Sequence, residues 1–189
     1  MYKRQVYTYA LPQRILIPVN AEEAVGVVDI FQGQFLEKEW TVNLSQPNQR
    51  YVLPNDGIDT STLRVYVKES ASSTVQTEYK MSDSIVKVTG ESNIFLIQET
   101  SDEKYELIFG DGIFGKKLES GNVIKATYIK TNGAEGNGAS SFIFVGSIKD
   151  ESGASVSGTR AYMRTLIASE NGDDICLLYT SDAADEKVR

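Results

Sequence analysis

The feature that most restricts this chain is a succession of short β-type runs, each closed by turn residues. Thr62–Glu69 (TLRVYVKE) is the clearest. Leu63, Val65 and Val67 fall on one face, and Arg64, Tyr66 and Lys68 on the other. This period of two belongs to a strand buried on one side. Arg14–Val19, Val25–Phe31, Phe35–Leu44, Ile85–Val88, Asn93–Gln98, Tyr105–Phe109, Val123–Lys130 and Ser141–Ile148 are further runs of this type. Pro54-Asn55-Asp56-Gly57, Asp111-Gly112, Gly121-Asn122 and Asn132-Gly133 punctuate them. Such residues close tight turns, glycine because it accepts positive φ and asparagine or aspartate through short-range side-chain hydrogen bonds. The pattern predicts a mostly β fold, α+β at most. Thr159–Glu170 has helical spacing through Met163, Leu166 and Ile167 and admits a short helix. Asp150–Gly158 is small and polar and reads as a linker.

Composition removes several function classes. The chain has 189 residues, no histidine, a single cysteine (Cys176) and a net charge of -7. No disulfide framework and no cysteine-rich zinc site can form. The commonest acyl-transfer arrangements, which need a histidine base or a cysteine nucleophile, have no residues to use. Carboxylate, serine, lysine and tyrosine chemistry stays open. The acidic balance argues against broad nucleic-acid binding, which needs a basic footprint, and against attraction to anionic lipid. No apolar run approaches the ~18 residues that span a membrane.

The two ends carry a signal of another kind. Cys176–Thr180 (CLLYT) can be encoded by TGT CTC TTA TAC ACA, and the reverse complement, shifted by one base, can encode the opening Met1–Gln5 (MYKRQ). This inverted repeat resembles translated read-through of a sequencing adapter, and Ser181–Glu186 fits its continuation. Such segments lie outside fold reasoning. The expected organisation is adapter-derived sequence at 1–5 and 176–189, a β-rich domain over 6–148, and a linker with the short helix over 149–175 leading to a further domain. Without Lys3, Arg4, Lys187, Arg189, Asp182, Asp185 and Glu186 the balance is 15 basic against 23 acidic residues, still strongly acidic. Translation of flanking DNA tests this organisation.

Candidate chemical motifs each have a plain structural explanation. Gly110–Lys116 (GDGIFGK) matches a phosphate-cradling G-x-G-x-x-G with a following lysine. That mechanism requires a helix opening directly after the glycines. Here a short, glycine-broken segment and then a strand follow, so tight turns account for the glycines better. Asp56, Asp59, Asp102, Glu103, Glu106 and Asp111 could supply a hydrolytic carboxylate pair or a calcium site, but a solvated acidic surface is the default for such residues. Asn43-Leu44-Ser45 fits the glycosylation acceptor pattern, which matches often by chance. Trp40, the lone tryptophan, sits in an expected strand with Phe35 nearby, where core packing is the ordinary role and a sugar-stacking platform the alternative. Tyr51, Tyr66, Tyr79, Tyr105 and Tyr128 suit half-buried strand faces and also subunit interfaces.

The segment from Tyr105 to Gly138, YELIFGDGIFGKKLESGNVIKATYIKTNGAEGNG, resembles the core motif of the baseplate-J/wedge family of contractile-tailed, T-even-like phages. In that family an FGDG-x-FGK turn is followed by an extended strand and a TNGA-x-GN loop. Upstream, Arg50–Asn55 and Ile58–Leu63 look like a looser family segment, so that the resemblance covers roughly Val25–Ser147 and fades after Ile148. It implies a baseplate-J-like β-domain in a structural subunit of the tail baseplate wedge. It also implies assembly with other wedge subunits and with copies of itself, and rearrangement coupled to tail contraction. The location implied is the virion, after assembly in the host cytoplasm. No enzyme activity, cofactor, metal or small-molecule substrate is expected. Gly110, Asp111, Gly112, Gly115, Asn132, Gly133, Gly136, Asn137 and Gly138 are expected to shape turns, some of them at an interface. The competing reading is a glycan-binding β-domain of a tail fibre or adhesin, for which an exposed aromatic cluster around Trp40 would speak.

Overall fold

The computed structural model describes residues 6–11, 26–83, 88–102, 104–150, 152–156 and 163–172. They divide between Thr131 and Asn132 into two compact units.

The first unit is mostly β. Its strands are β1 (Tyr9–Ala10), β2 (Phe31–Gln32), β3 (Gln34–Thr41), β4 (Tyr51–Val52), β5 (Ile58–Lys68), β6 (Gln76–Met81), β7 (Ile94–Glu99), β8 (Tyr105–Phe109) and β9 (Val123–Lys130). β1 and β2 form a small antiparallel pair. The other seven form one sheet in the order β3-β9-β5-β6-β7-β8-β4. Neighbours are antiparallel except β6 and β7, which run parallel through two registered pairs, Lys80 with Ile94 and Met81 with Phe95.

The alternation seen in the sequence sets which face is buried. On β5, Leu63, Val65 and Val67 are in the core. Val65 and Val67 lie beside Ala126 and Ile124 of β9, their registered partners. On β3, Leu36 and Trp40 pack against the core, while Glu37 on the opposite face is ion-paired to Lys125 at 2.7 Å. The sheet curls into a nearly closed barrel. Its two outer strands meet through side chains: the rings of Trp40 on β3 and Tyr51 on β4 are edge-to-face at 6.2 Å. Gln49 bridges the same seam, donating from Nε2 to the Thr41 carbonyl at 2.8 Å and accepting from the Tyr51 hydroxyl at 3.2 Å. Tyr51, Phe109 and Tyr79 continue the aromatic row at centroid spacings of 5.7 Å. Trp40 is thus a packing residue at the seam and not an exposed platform.

Several expectations are corrected. β6, with one buried residue (Tyr79) in the polar run QTEYKM, was not foreseen from hydrophobicity. Ser141–Ile148 forms no strand; Ile143 and Val145 are 84% and 95% exposed. A run that is apolar on both faces needs cover on both faces, and the described residues of its unit leave these two side chains uncovered. Residues 163–170 are not helical. Ser169 instead exchanges backbone hydrogen bonds with Gly138 and Ala139. Leu166 and Ile167 stay exposed, so no buried apolar stripe stabilises a helix there. Of Val25–Phe31 only Phe31 enters a strand among the described residues. Arg14–Val19, most of Ile85–Val88, the first four residues of Thr159–Glu170 and both suspected adapter segments lie outside the described residues.

Candidate functional site

Two sequence segments singled out for their turns can be followed atom by atom, one in each unit. In the first unit, β8 ends at Phe109 and the chain enters Gly110–Lys116. The Asp111 carboxylate turns back on its own loop, with Oδ1 accepting from the amides of Ile113 at 2.8 Å and Phe114 at 2.9 Å. These bonds hold the Asp111 carboxyl below the usual aspartate range, Phe114 contributing most and Ile113 next. The Gly112 amide donates to the Gly115 carbonyl at 3.0 Å. The loop also rests on the Thr89–Ser92 turn, since Gly115 donates to the Thr89 carbonyl at 3.1 Å and Lys116 to the Ser92 carbonyl at 2.8 Å. Gly110 is required by proximity: a Cβ there would lie 2.1 Å from the Gly115 carbonyl carbon. Gly115, at φ +88°, is required by conformation as well.

No helix follows these glycines; the chain reaches β9 at Val123. The helix N-terminus that a phosphate site needs is absent directly after the motif. Two large apolar side chains stand outward at its tip, Ile113 69% and Phe114 51% exposed, beside the exposed Asp111 and Lys116. Both residues belong to the motif, and their exposure is not evident from the sequence. The signal available was two large apolar residues between the glycines of a turn.

The acidic candidates are dispersed into structural roles. Asp56 pairs with Lys130, whose hydrogen bond lowers its pKa. Glu106 accepts both ends of the Arg50 guanidinium, and that hydrogen bonding likewise lowers the Glu106 pKa. Asp102 is in the exposed β7–β8 turn, and Glu103 lies outside the described residues. Among the described residues, no group of three metal-binding side chains converges.

Asp59 organises a bulge. Between Asp59 and Arg64 strand β5 has four residues (60–63) against one on β9, Tyr128. Asp59 Oδ1 accepts from the Ser61 amide at 3.0 Å and from its hydroxyl at 2.6 Å. The Thr62 hydroxyl donates to the Asp59 carbonyl at 2.7 Å and accepts from the buried Ile129 amide at 3.0 Å. Thr62 therefore supplies the acceptor that the interrupted ladder takes away from Ile129. Thr62→Val keeps the volume and orphans that amide. It is expected to cost about 1–3 kcal/mol in denaturant unfolding, while Thr62→Ser stays within about 1 kcal/mol of the parent. Equal stability of the valine variant would refute this role. The mixed Asp-Thr-Ser-Thr run was readable as part of a family-like segment, but its hydroxyl's duty depends on a residue 67 positions away.

In the second unit, Asn132 leads into a 3-10 turn over Gly133–Gly136. Asn137 then pairs with Gly172 in both directions, Nδ2 donating to its carbonyl at 2.7 Å and Oδ1 accepting from its amide at 2.9 Å. Gly138 donates to the Ser169 carbonyl at 2.7 Å. The Ser169 hydroxyl donates to the Gly136 carbonyl at 2.6 Å and accepts from the Ala139 amide at 2.8 Å. The Asn132–Gly138 loop is thus anchored to residues 169–172, which the sequence did not connect to it.

The chemistry available in both loops is that of shape and hydrogen bonding. Comparison with known proteins agrees in kind. Residues 39–157 match the family model described as bacteriophage baseplate wedge protein gp6, third domain. No curated protein is significantly similar to the chain.

Proposed function

We propose that this chain, which belongs to the family of the third domain of bacteriophage baseplate wedge protein gp6, works by holding neighbouring wedge proteins and passing on a conformational change during tail contraction. Membership makes it a structural, non-enzymatic component of the phage tail baseplate. The mechanical role, self-association and assembly in the host cytoplasm are our reading. The observation that carries the reading is the Gly110–Lys116 loop, whose Asp111 Oδ1 holds the loop's own amides while Ile113 and Phe114 face outward. A catalytic or ligand-gripping loop would direct polar groups at a guest. This one fixes a surface shape, which is what an assembly subunit needs. Asn132, Gly133, Gly136, Asn137 and Gly138 shape the second loop in the same manner, and we assign it to the same kind of contact. The organisation into adapter-derived ends, β-rich domain and linker belongs to this reading too.

Co-production of the chain with the other wedge proteins encoded in the same genome tests the function. A stable complex that co-migrates in size-exclusion chromatography is expected. A chain that stays monomeric in their presence, and instead binds glycans in solution, would return the adhesin reading to first place.

A further inference from the structure

We propose that the seam between β3 and β4 is a latch closed by Gln49, and that its release is the movement this domain passes on. The proposal rests on the wedge reading for that use, and on the geometry of the barrel for the latch itself. Each side of the seam is tied to its own neighbours. On the β3 side Val42 is buried; its amide donates to the Asn122 carbonyl and its carbonyl accepts from the Gly121 amide, both at 2.8 Å. On the β4 side Leu53 donates to the Tyr105 carbonyl at 2.8 Å, and the Arg50 guanidinium holds the Glu106 carboxylate of β8 through two hydrogen bonds. Among the described residues β3 and β4 share no backbone hydrogen bond. One carboxamide crosses instead. Gln49 Nε2 donates to the Thr41 carbonyl at 2.8 Å, and Oε1 accepts from the Asn43 amide at 2.8 Å and the Tyr51 hydroxyl at 3.2 Å. Beyond that, the seam has the edge-to-face contact of Trp40 with Tyr51.

Such a closure is reversible. Trp40 and Tyr51 are half-buried, whereas Val65, Ile124 and Ala126 on one side and Phe95 and Leu107 on the other are buried in the core. Parting the two rings exposes little apolar surface and leaves that core covered. Asn48, directly before the latch, sits at φ 58°, a left-handed conformation that the closed loop has to maintain. The sheet also has a place to take up the movement. β6 is the middle strand of the seven, and its joint to β7 has two registered pairs. The hydrogen bonds of one side chain and one ring contact are individually small, so a partner's differential binding can shift the balance between closed and open. The free domain is closed, so a partner that uses the seam favours the open form.

Trp40 is the chain's single tryptophan, and its fluorescence reports the seam without a label. Gln49→Glu keeps the shape and both acceptors of the side chain and removes the donor to Thr41. Gln49→Ala removes all three bonds. In the isolated full chain both variants should keep the far-ultraviolet circular dichroism of the parent, shift Trp40 emission to the red and raise its quenching by acrylamide. Hydrogen exchange over residues 43–53 should quicken about tenfold, and more than in β9. By linkage, both variants should bind the wedge proteins encoded in the same genome about tenfold more tightly than the unaltered chain. Emission and exchange unchanged in both variants overturn the latch and leave the wedge reading standing. An opened seam with equal or weaker binding overturns the seam as the moving part, again without touching that reading. No complex with the unaltered chain or either variant overturns the wedge reading and the use of the seam together.

Discussion

Gly110→Ala should lower the unfolding midpoint by roughly 10 °C, following a loss of at least about 3 kcal/mol. The added methyl would sit 2.1 Å from the carbonyl carbon of Gly115, 2.2 Å from its oxygen and 2.5 Å from its Cα. All three are backbone atoms, so no rotamer change relieves the overlap. Gly115 cannot retreat easily, because its amide is bound to the Thr89 carbonyl and a Cβ built on it would already lie 3.0 Å from the Ile94 side chain of β7. Gly112→Ala is the control: its Cβ meets nothing nearer than 3.7 Å, so only the φ of +95° is penalised, at about 1 kcal/mol. Thermal unfolding of the three proteins checks the prediction. A midpoint for Gly110→Ala at or above that of Gly112→Ala would show that the loop is looser than described. Because Gly110 sets the approach of the loop's two ends, the same substitution should also weaken wedge assembly more than its stability loss accounts for.

Phe95→Ala is the second large effect, expected to cost about 3–5 kcal/mol. Phe95 is 1% exposed and packs with Phe109 at 6.3 Å. Its position makes it more than a core residue. β6 and β7 are joined by two registered pairs and by backbone bonds from Lys80 to Asn93 and from Ser82 to Phe95. Among the described residues this is the parallel joint of the sheet, with fewer registered pairs than any other joint between strands longer than two residues, and side-chain burial must hold it. Ile108→Ala, on the outward side of β8 and 37% exposed, should change stability by about 0.5 kcal/mol or less. Urea unfolding of the two variants separates the cases. A similar, small loss in both would place the strength of the β6–β7 joint in the backbone.

The strands legible in the sequence were those whose burial is one-sided or whose limits are glycines. Tyr105–Phe109 and Val123–Lys130 have the expected bounds, and Thr62–Glu69 lies within β5 except for its last residue. β6 escaped notice because the sheet covers one of its side chains, Tyr79, and leaves the others exposed. Ser141–Ile148 misled for the opposite reason: high β propensity is a statement about fitting a pleated surface, and no strand among the described residues offers one. The candidate loop was legible as a set of glycines and an aspartate, and as a family-like motif. That its tip faces solvent was not legible, because apolar residues are as common in a core as at an interface.

The sequence by itself determined the mostly β character, the face that β5 buries, the turns at Pro54–Gly57 and Gly110–Lys116, and the family. All of these follow from neighbours within a few residues, where φ, side-chain alternation and short-range hydrogen bonds act. The tertiary structure alone decided the closure of the sheet at Trp40 and Tyr51, the acceptor role of Thr62, the anchoring of Asn137 to Gly172 and the outward display of Ile113 and Phe114. Each of these depends on which distant segments share space, and a local pattern carries no record of that.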